Sequence, residues 1–187
     1  MPDAYDAISA RLIEKSGFKA IQCSGYSFFI AAAKKKEIDI SRSENVAITS
    51  RIVEAVDLPV MADAEDGYGN ADAVRETVKM FIQAGVAGLN LEDQILDNSK
   101  RTHIVSEENM IEKILTARES AETYENPNLI INGRTDALKS TEDRQEALNI
   151  AVERSNLYLQ SGADIAFVTY VETIEEIQPS KKRLKVH

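Results

Sequence analysis

The sequence holds a single cysteine, Cys23, among 187 residues. No intrachain disulfide can form, and a reducing, cytoplasmic setting is expected. No unbroken run of about 20 apolar residues occurs, so no helical membrane span is expected. The first residues, Met1, Pro2 and Asp3, show neither the basic nor the apolar region of a secretory signal. Positive charge is scarce as well: 22 Lys and Arg stand against 31 Asp and Glu, a net charge of −9. That balance argues against a nucleic-acid partner. The one strongly basic stretch, Lys181, Lys182, Arg183 and Lys185, reads as a solvated tail within residues 179–187. Glycine-rich phosphate loops are missing too. Neither GxGxxG nor GxxxxGKS/T follows the first apolar run, which excludes the common nucleotide-binding arrangements.

What remains is an ordinary globular composition, 43% hydrophobic and 28% charged, long enough for one domain with a real core. Five short apolar runs, at 18–23, 58–62, 86–91, 129–132 and 165–170, read as strands. Between them, 45–56, 71–83, 107–122 and 143–160 carry helical spacing; 7–16 precedes the first strand and 172–178 follows the last. Ser16-Gly17, Ala84-Gly85 and Ser161-Gly162 supply matching helix exits, with glycine at the C-terminal cap. Strand and helix in alternation predict βα units on a parallel sheet. The strands end in polar residues: Ser24, Asp63 with Glu65, Glu92 with Asp93, and Arg134 with Asp136. A (β/α)₈ TIM barrel places its chemistry at those ends, and so does a doubly wound open sheet. A complete barrel takes about 250 residues. The expectation is therefore an α/β chain of (β/α)₈ type with five or six units, spanning residues 1–178. It would lack the first strand and the last two.

Residues 59–70, PVMADAEDGYGN, organise the rest. Val60, Met61 and Ala62 read as the end of a buried strand. Asp63 and Glu65 alternate with a period of two, so both carboxylates are expected on one face. Gly67 and Gly69 then turn the chain, and Asn70 is placed to cap the helix that begins near Ala71. Paired carboxylates at a strand's C-terminal edge suit a hard cation such as Mg²⁺; equally, they read as surface charges at a strand end. The recurrence of an acidic pair at Glu92 and Asp93 weighs toward the metal.

Five motifs in order resemble the phosphoenolpyruvate mutase/isocitrate lyase superfamily. Residues 2–12, PDAYDAISARL, are similar to the opening PGAYDALSARL, with Asp3 where glycine is usual. Residues 24–27, SGYS, resemble the substrate-binding loop. Residues 62–70, ADAEDGYGN, resemble the ADxDxGYGN metal strand; 85–94, GVAGLNLEDQ, resemble GVAGxxxEDQ; and 131–137, INGRTDA, resemble IxARTDA. The resemblance spans about residues 2–178 and implies a (β/α)₈ barrel. It further implies Mg²⁺, or Mn²⁺, bound directly by Asp63 and through waters by Glu65 and Glu92. Ser24, Gly25 and Tyr26 would bind a substrate carboxylate. Arg134 would clamp a carboxylate or phosphonate, and Tyr5 and Asp6 would line the floor. The substrate class implied is a small 2-oxo acid, a 2-hydroxy polycarboxylate or a phosphonate, with chemistry through an enolate.

The sequence departs from that pattern in its loops. The lyases carry a cysteine as general acid on the loop after the fourth strand; here 96–103 reads LDNSKRTH. Lys100, Arg101 and His103 are kept, while the cysteine is gone, and Thr102 is far too weak an acid to stand in. Lys100, His103 and Arg134 are thus the catalytic candidates, and Cys23 reads as a small buried hydrophobe. Where the family often has an acid after the Ser-Gly strand, this chain has Lys34, Lys35 and Lys36, and Asp39 fits the position poorly. The leading expectation is a Mg²⁺-dependent carbon–carbon lyase of methylisocitrate or dimethylmalate type. Phosphoenolpyruvate mutase or phosphonopyruvate hydrolase chemistry is the alternative that the missing cysteine favours. A non-catalytic barrel fragment and an aldolase of a neighbouring barrel family are the remaining readings. Exposed sheet edges predict a homo-oligomer.

Overall fold

The computed structural model describes residues 1–95 and 102–177. In chain order it contains α1 (Ala7–Lys15), β1 (Ile21–Gln22), α2 (Gly25–Ala31), α3 (Arg42–Ala55), β2 (Val60–Asp63), α4 (Ala71–Gln83), β3 (Gly88–Glu92), β4 (Gln94–Ile95), β5 (His103–Ile104), α5 (Glu107–Thr123), β6 (Ile130–Thr135), α6 (Arg144–Gln160) and β7 (Ile165–Val168). Short 3₁₀ turns lie at Glu37–Asp39 and Ala137–Lys139. Residues 174–177 form a further helical turn. No helix among the described residues is long and apolar enough to cross a membrane.

The main sheet is parallel, with strand order β1-β2-β3-β6-β7. Each new strand is added on the same side of the last, and the order never reverses. A doubly wound sheet has a reversal point, whereas a barrel grows in one direction, so the order decides for the barrel type. A trace of an earlier strand is also present, where the sequence led us to expect none. Gln22 donates its N–H to the Pro2 carbonyl and accepts from the Ala4 N–H, both at 2.9 Å, and Asp3 bridges Gln22 in parallel.

Side-chain alternation across this sheet separates core from site. Ala62, Leu89, Leu91 and Ile131 face the helices and pack with Val74, Val78 and Phe81 of α4, Met110, Ile114 and Ala117 of α5, and Tyr158 of α6. A second cluster joins Ala10, Ile21, Cys23, Phe28, Ile52 and Val60. The opposite face carries Met61 and Asp63 of β2, Asn90 and Glu92 of β3, and Asn132 and Arg134 of β6. The pairings Asp63↔Asn90, Asn90↔Asn132 and Glu92↔Arg134 put these residues side by side.

Helix ends follow the expected chemistry. Asn70 accepts the Ala73 N–H, and Asp6, Ser41, Ser106 and Asp143 cap α1, α3, α5 and α6. The glycine exits are left-handed, with φ of 86° at Gly17, 82° at Gly85 and 106° at Gly162. Two elements were not anticipated. The run read as a loop at 24–27 begins α2, with Ser24 at its N-cap. Residues 94–95 and 103–104 form an antiparallel pair. Residues 96–101, and with them Lys100 and Arg101, lie outside the described residues, as does the basic tail 179–187.

Candidate metal centre

Strand β2 delivers Asp63 to the sheet's C-terminal edge, 3% exposed. Its Oδ2 accepts the Gly25 N–H at 3.1 Å, and its Oδ1 accepts the Glu65 N–H at 3.2 Å. Glu65 is also buried, but not by simple strand alternation as expected. Regular β2 ends at Asp63, and Glu65 sits in the left-handed region at φ 51°. The chain nevertheless stays against β3: Ala64 N–H donates to Asn90 O, and Glu92 N–H to Glu65 O, both at 2.9 Å. Glu92 comes from the end of β3 and is 1% exposed. One carboxylate oxygen from each of Asp63, Glu65 and Glu92 lies within 4.8 Å of the others.

Burial raises the pKa of all three carboxyls. At Glu65 the nearby Asp63, Glu92 and Glu37 add to the shift; at Asp63 and Glu92 the Arg134 charge opposes it. Three buried acids this close are expensive as free anions, because each loses water and repels the others. A hard divalent cation resolves both costs at once. Glu92 Oε2 supports that fit: it lies 2.7 Å from Arg134 Nη1, yet no aligned hydrogen bond reaches it, so a lone pair is left over inside a buried site. Gly25 supports it from the other side. A Cβ there would overlap the Glu65 carboxylate, so any larger residue would displace it from this position.

Arg134 does not stand free as a substrate clamp. Its Nε and Nη2 donate to the two Asp136 oxygens at 3.0 and 2.9 Å, and its Nη1 faces Glu92. These acidic neighbours hold it cationic. Gly25 N–H is likewise engaged, by Asp63. Ser24 makes no side-chain cap. Tyr26 is exposed and meets the Phe29 ring edge-on, with centroids 5.1 Å apart. Tyr5 and Asp6 are placed elsewhere: with Phe28, Ile48 and Arg51 they line a cleft of about 380 Å³ that none of the three buried acids lines. Asp6 is there to cap α1, its Oδ1 accepting the Ser9 N–H at 2.7 Å. His103 is exposed on β5.

Glu37, on the 3₁₀ turn after α2, was missed in the sequence. It is half-buried, and burial with the Asp63 charge raises its carboxyl pKa. A cleft of about 350 Å³ is lined by Glu37, Ile38, Ile40, Ser41, Glu65 and Tyr68. Asp39 instead caps its own turn by accepting the Lys36 N–H. The signal available was Ile40, the buried residue that fixes which way the turn faces.

The acids that directly follow Glu92 and Glu65, Asp93 and Asp66, are structural. Adjacent strand residues face opposite ways, so Asp93 turns from the site into the helix layer. Its Oδ2 accepts from Thr135 Oγ1 and the Tyr158 hydroxyl at 2.7 Å and from Arg154 Nη1 at 3.1 Å; its Oδ1 accepts the Asp136 N–H at 2.9 Å. Asp66 pairs with the buried Lys113, whose Nζ donates to the Asp66 carbonyl at 2.5 Å and sits 3.6 Å from its Oδ2. Cys23 is fully buried, and burial pushes its thiol up to about 12, which fits the reading as core rather than acid.

Residues 1–186 match the family described as phosphoenolpyruvate phosphomutase. The chain belongs to that family. Among its relatives in the phosphoenolpyruvate mutase/isocitrate lyase superfamily is the 2,3-dimethylmalate lyase of Eubacterium barkeri, 39% identical over 95% of this chain and 60% of the relative. Another is the chloroplastic carboxyvinyl-carboxyphosphonate phosphorylmutase of Arabidopsis thaliana, 32% identical over 99% of this chain and 55% of that one. A solved oxaloacetate acetylhydrolase, in complex with its product oxalate, superposes with a TM-score of 0.88 at 26% identity, over 98% of this chain and 62% of its own. The family fold is thus present as a curled parallel half-barrel, and the chain spans 55–60% of the length of these two sequence relatives.

Proposed function

We propose that this chain carries the metal-dependent portion of a carbon–carbon lyase acting on a small branched 2-hydroxy dicarboxylate or its 2-oxo acid product. The observation that carries the reading is the convergence of Asp63, Glu65 and Glu92 beside Arg134. A Mg²⁺ or Mn²⁺ ion held by these carboxylates would offset negative charge on a substrate oxygen as the bond breaks. Arg134 supplies a fixed positive charge for a carboxylate, oriented by Asp136. Glu37, with its raised pKa, is the residue we assign to proton transfer at the mouth of the cleft. In the cleavage direction a base takes the hydroxyl proton and a carbonyl forms. The carbon–carbon electron pair passes to the carbon beside a carboxylate as an enolate, and a proton returned to that carbon completes the product. Ile38 and Ile40 line the same cleft and favour an alkyl-substituted substrate.

Phosphonate chemistry is the second reading. The matched family's description and the loop at 96–103, which lacks a cysteine acid, both favour it. The test is calorimetric titration of oxalate, with and without Mg²⁺, on wild type and Asp63→Ala. Mg²⁺-dependent binding that the substitution removes is expected. Wild-type protein that is folded and binds nothing would overturn the enzyme reading. Turnover of 2,3-dimethylmalate against phosphonopyruvate then separates the two chemistries.

A further inference from the structure

The segment from the end of β2, which carries Asp63 and then Glu65, to the head of α4 is held in an unusual shape. Glu65 and Tyr68 have φ of 51° and 62°, alternating with Gly67 at 86° and Gly69 at 140°. Non-glycine residues keep such conformations only where their surroundings over-determine them. On one side Lys113 holds the Asp66 carbonyl, and Thr77 Oγ1 donates to Gly67 O at 3.0 Å. On the other side stands Asn45 of α3, wholly buried. Its Nδ2 donates to the Asp63 backbone carbonyl at 2.9 Å and to the Tyr68 hydroxyl oxygen at 2.8 Å. Its Oδ1 accepts from Thr49 Oγ1 at 3.3 Å, which fixes the amide's orientation.

We propose that Asn45 is a positioning residue for the metal centre, setting the geometry of Asp63 and Glu65 by tying the Asp63 carbonyl to Tyr68; this rests on the metal reading above. A helix that needed only to bury its face could place an apolar residue here, as it does at Ile52 two turns onward. A buried amide instead demands partners for both its donors. Both partners belong to the segment that carries the carboxylates. The Asp63 carbonyl lies one peptide before the left-handed step that aims Glu65 at Asp63 and Glu92. Fixing it fixes the start of that step, and fixing Tyr68 fixes its end. Asn45 bonds the Asp63 backbone carbonyl and the Tyr68 hydroxyl, not a carboxylate, and acts through the backbone.

The test is Mn²⁺ binding followed by electron paramagnetic resonance on the full chain, well below each variant's melting temperature. Asn45→Ala is expected to weaken Mn²⁺ binding about tenfold, the effect of losing both hydrogen bonds that tie the Asp63 carbonyl to Tyr68, and to broaden the bound-metal spectrum. Ile52→Val, on the same helix without a polar link to β2, is expected to lower the melting temperature and leave Mn²⁺ affinity unchanged. If Asn45→Ala does not fold, Tyr68→Phe removes one of the two partners and is expected to weaken binding about threefold. Wild-type affinity and spectrum in the folded Asn45 or Tyr68 variant would overturn the proposal and leave Asn45 a stabilising core residue. Absence of Mn²⁺ binding by wild type would overturn the metal reading itself, and the positioning role with it.

Discussion

Asp63, Glu65 and Glu92 are stabilised as acids and strained as anions, and that has a signed consequence for pH. Their folded pKa values lie above the ordinary 3.8 of Asp and 4.5 of Glu, chiefly through burial. The folded state therefore binds more protons than the unfolded one across that interval, and stability falls as pH rises. The contribution is fully present below about pH 4 and is lost as pH climbs through the raised folded values. A bound divalent cation reverses the sign, because it requires the deprotonated forms. Thermal melts against pH, in chelator and in Mg²⁺, should diverge: the chelated protein loses midpoint as pH rises above 4.5, and Mg²⁺ restores it. Parallel curves with and without Mg²⁺ would contradict a metal centre here. Gly25 gives the sharpest single-residue check. Gly25→Ala places a methyl in the space of the Glu65 carboxylate. It should abolish Mg²⁺-dependent binding and leave the far-ultraviolet circular dichroism of a folded α/β protein. Unchanged metal affinity would show that Glu65 has another place to go.

Among the elements, the strands and long helices were legible because burial wrote them into the pattern. Helix α4 lies at 71–83 as expected, since Asn70 caps it and Val74, Val78 and Phe81 repeat on one face. Strands β2, β3 and β6 show as apolar runs because both of their faces are covered for most of their length. Helix α2 was hidden because Tyr26, Phe28, Phe29 and Ile30 leave no polar face to mark a period. The antiparallel pairing of 94–95 with 103–104 was hidden because two residues per strand carry no periodicity. Glu37 was hidden because its role depends on a 3₁₀ turn folding back toward a strand far off in sequence. Asp93 shows the limit from the opposite side. In the sequence the Glu92-Asp93 pair reads as a site feature, yet only its first member faces the site; the second fastens β3, β6 and α6 together. Because Arg154 is buried with it, Asp93→Ala leaves an uncompensated cation, and a loss of about 3–5 kcal/mol is expected. Urea unfolding monitored by circular dichroism measures it. A loss under about 1 kcal/mol would mean that the network is not coupled to folding.

At the scale of the whole molecule, the half-barrel's site face is left uncovered at β7 by the described residues. That strand pairs only with β6 among the described residues. Ile165 and Phe167, in register with Asn132 and Arg134 of the site face, are 44% and 39% exposed. Tyr170, Val171, Ile174 and Ile177 continue the apolar exposure. An open edge with apolar side chains offers both unpaired backbone groups and a surface that loses free energy in water, a pairing template for another chain. The net charge of −9 opposes that association through repulsion, which salt screens. The two effects differ in range, so salt separates them: burial of Phe167 and Ile174 is insensitive to ionic strength, whereas repulsion is not. Sedimentation velocity should therefore show self-association that grows with protein concentration and with added salt. The double substitution Phe167→Lys and Ile174→Lys should return the chain to monomer at the same salt. A wild-type chain that stays monomeric at high salt and high concentration would show that β7 is already covered within the protein itself.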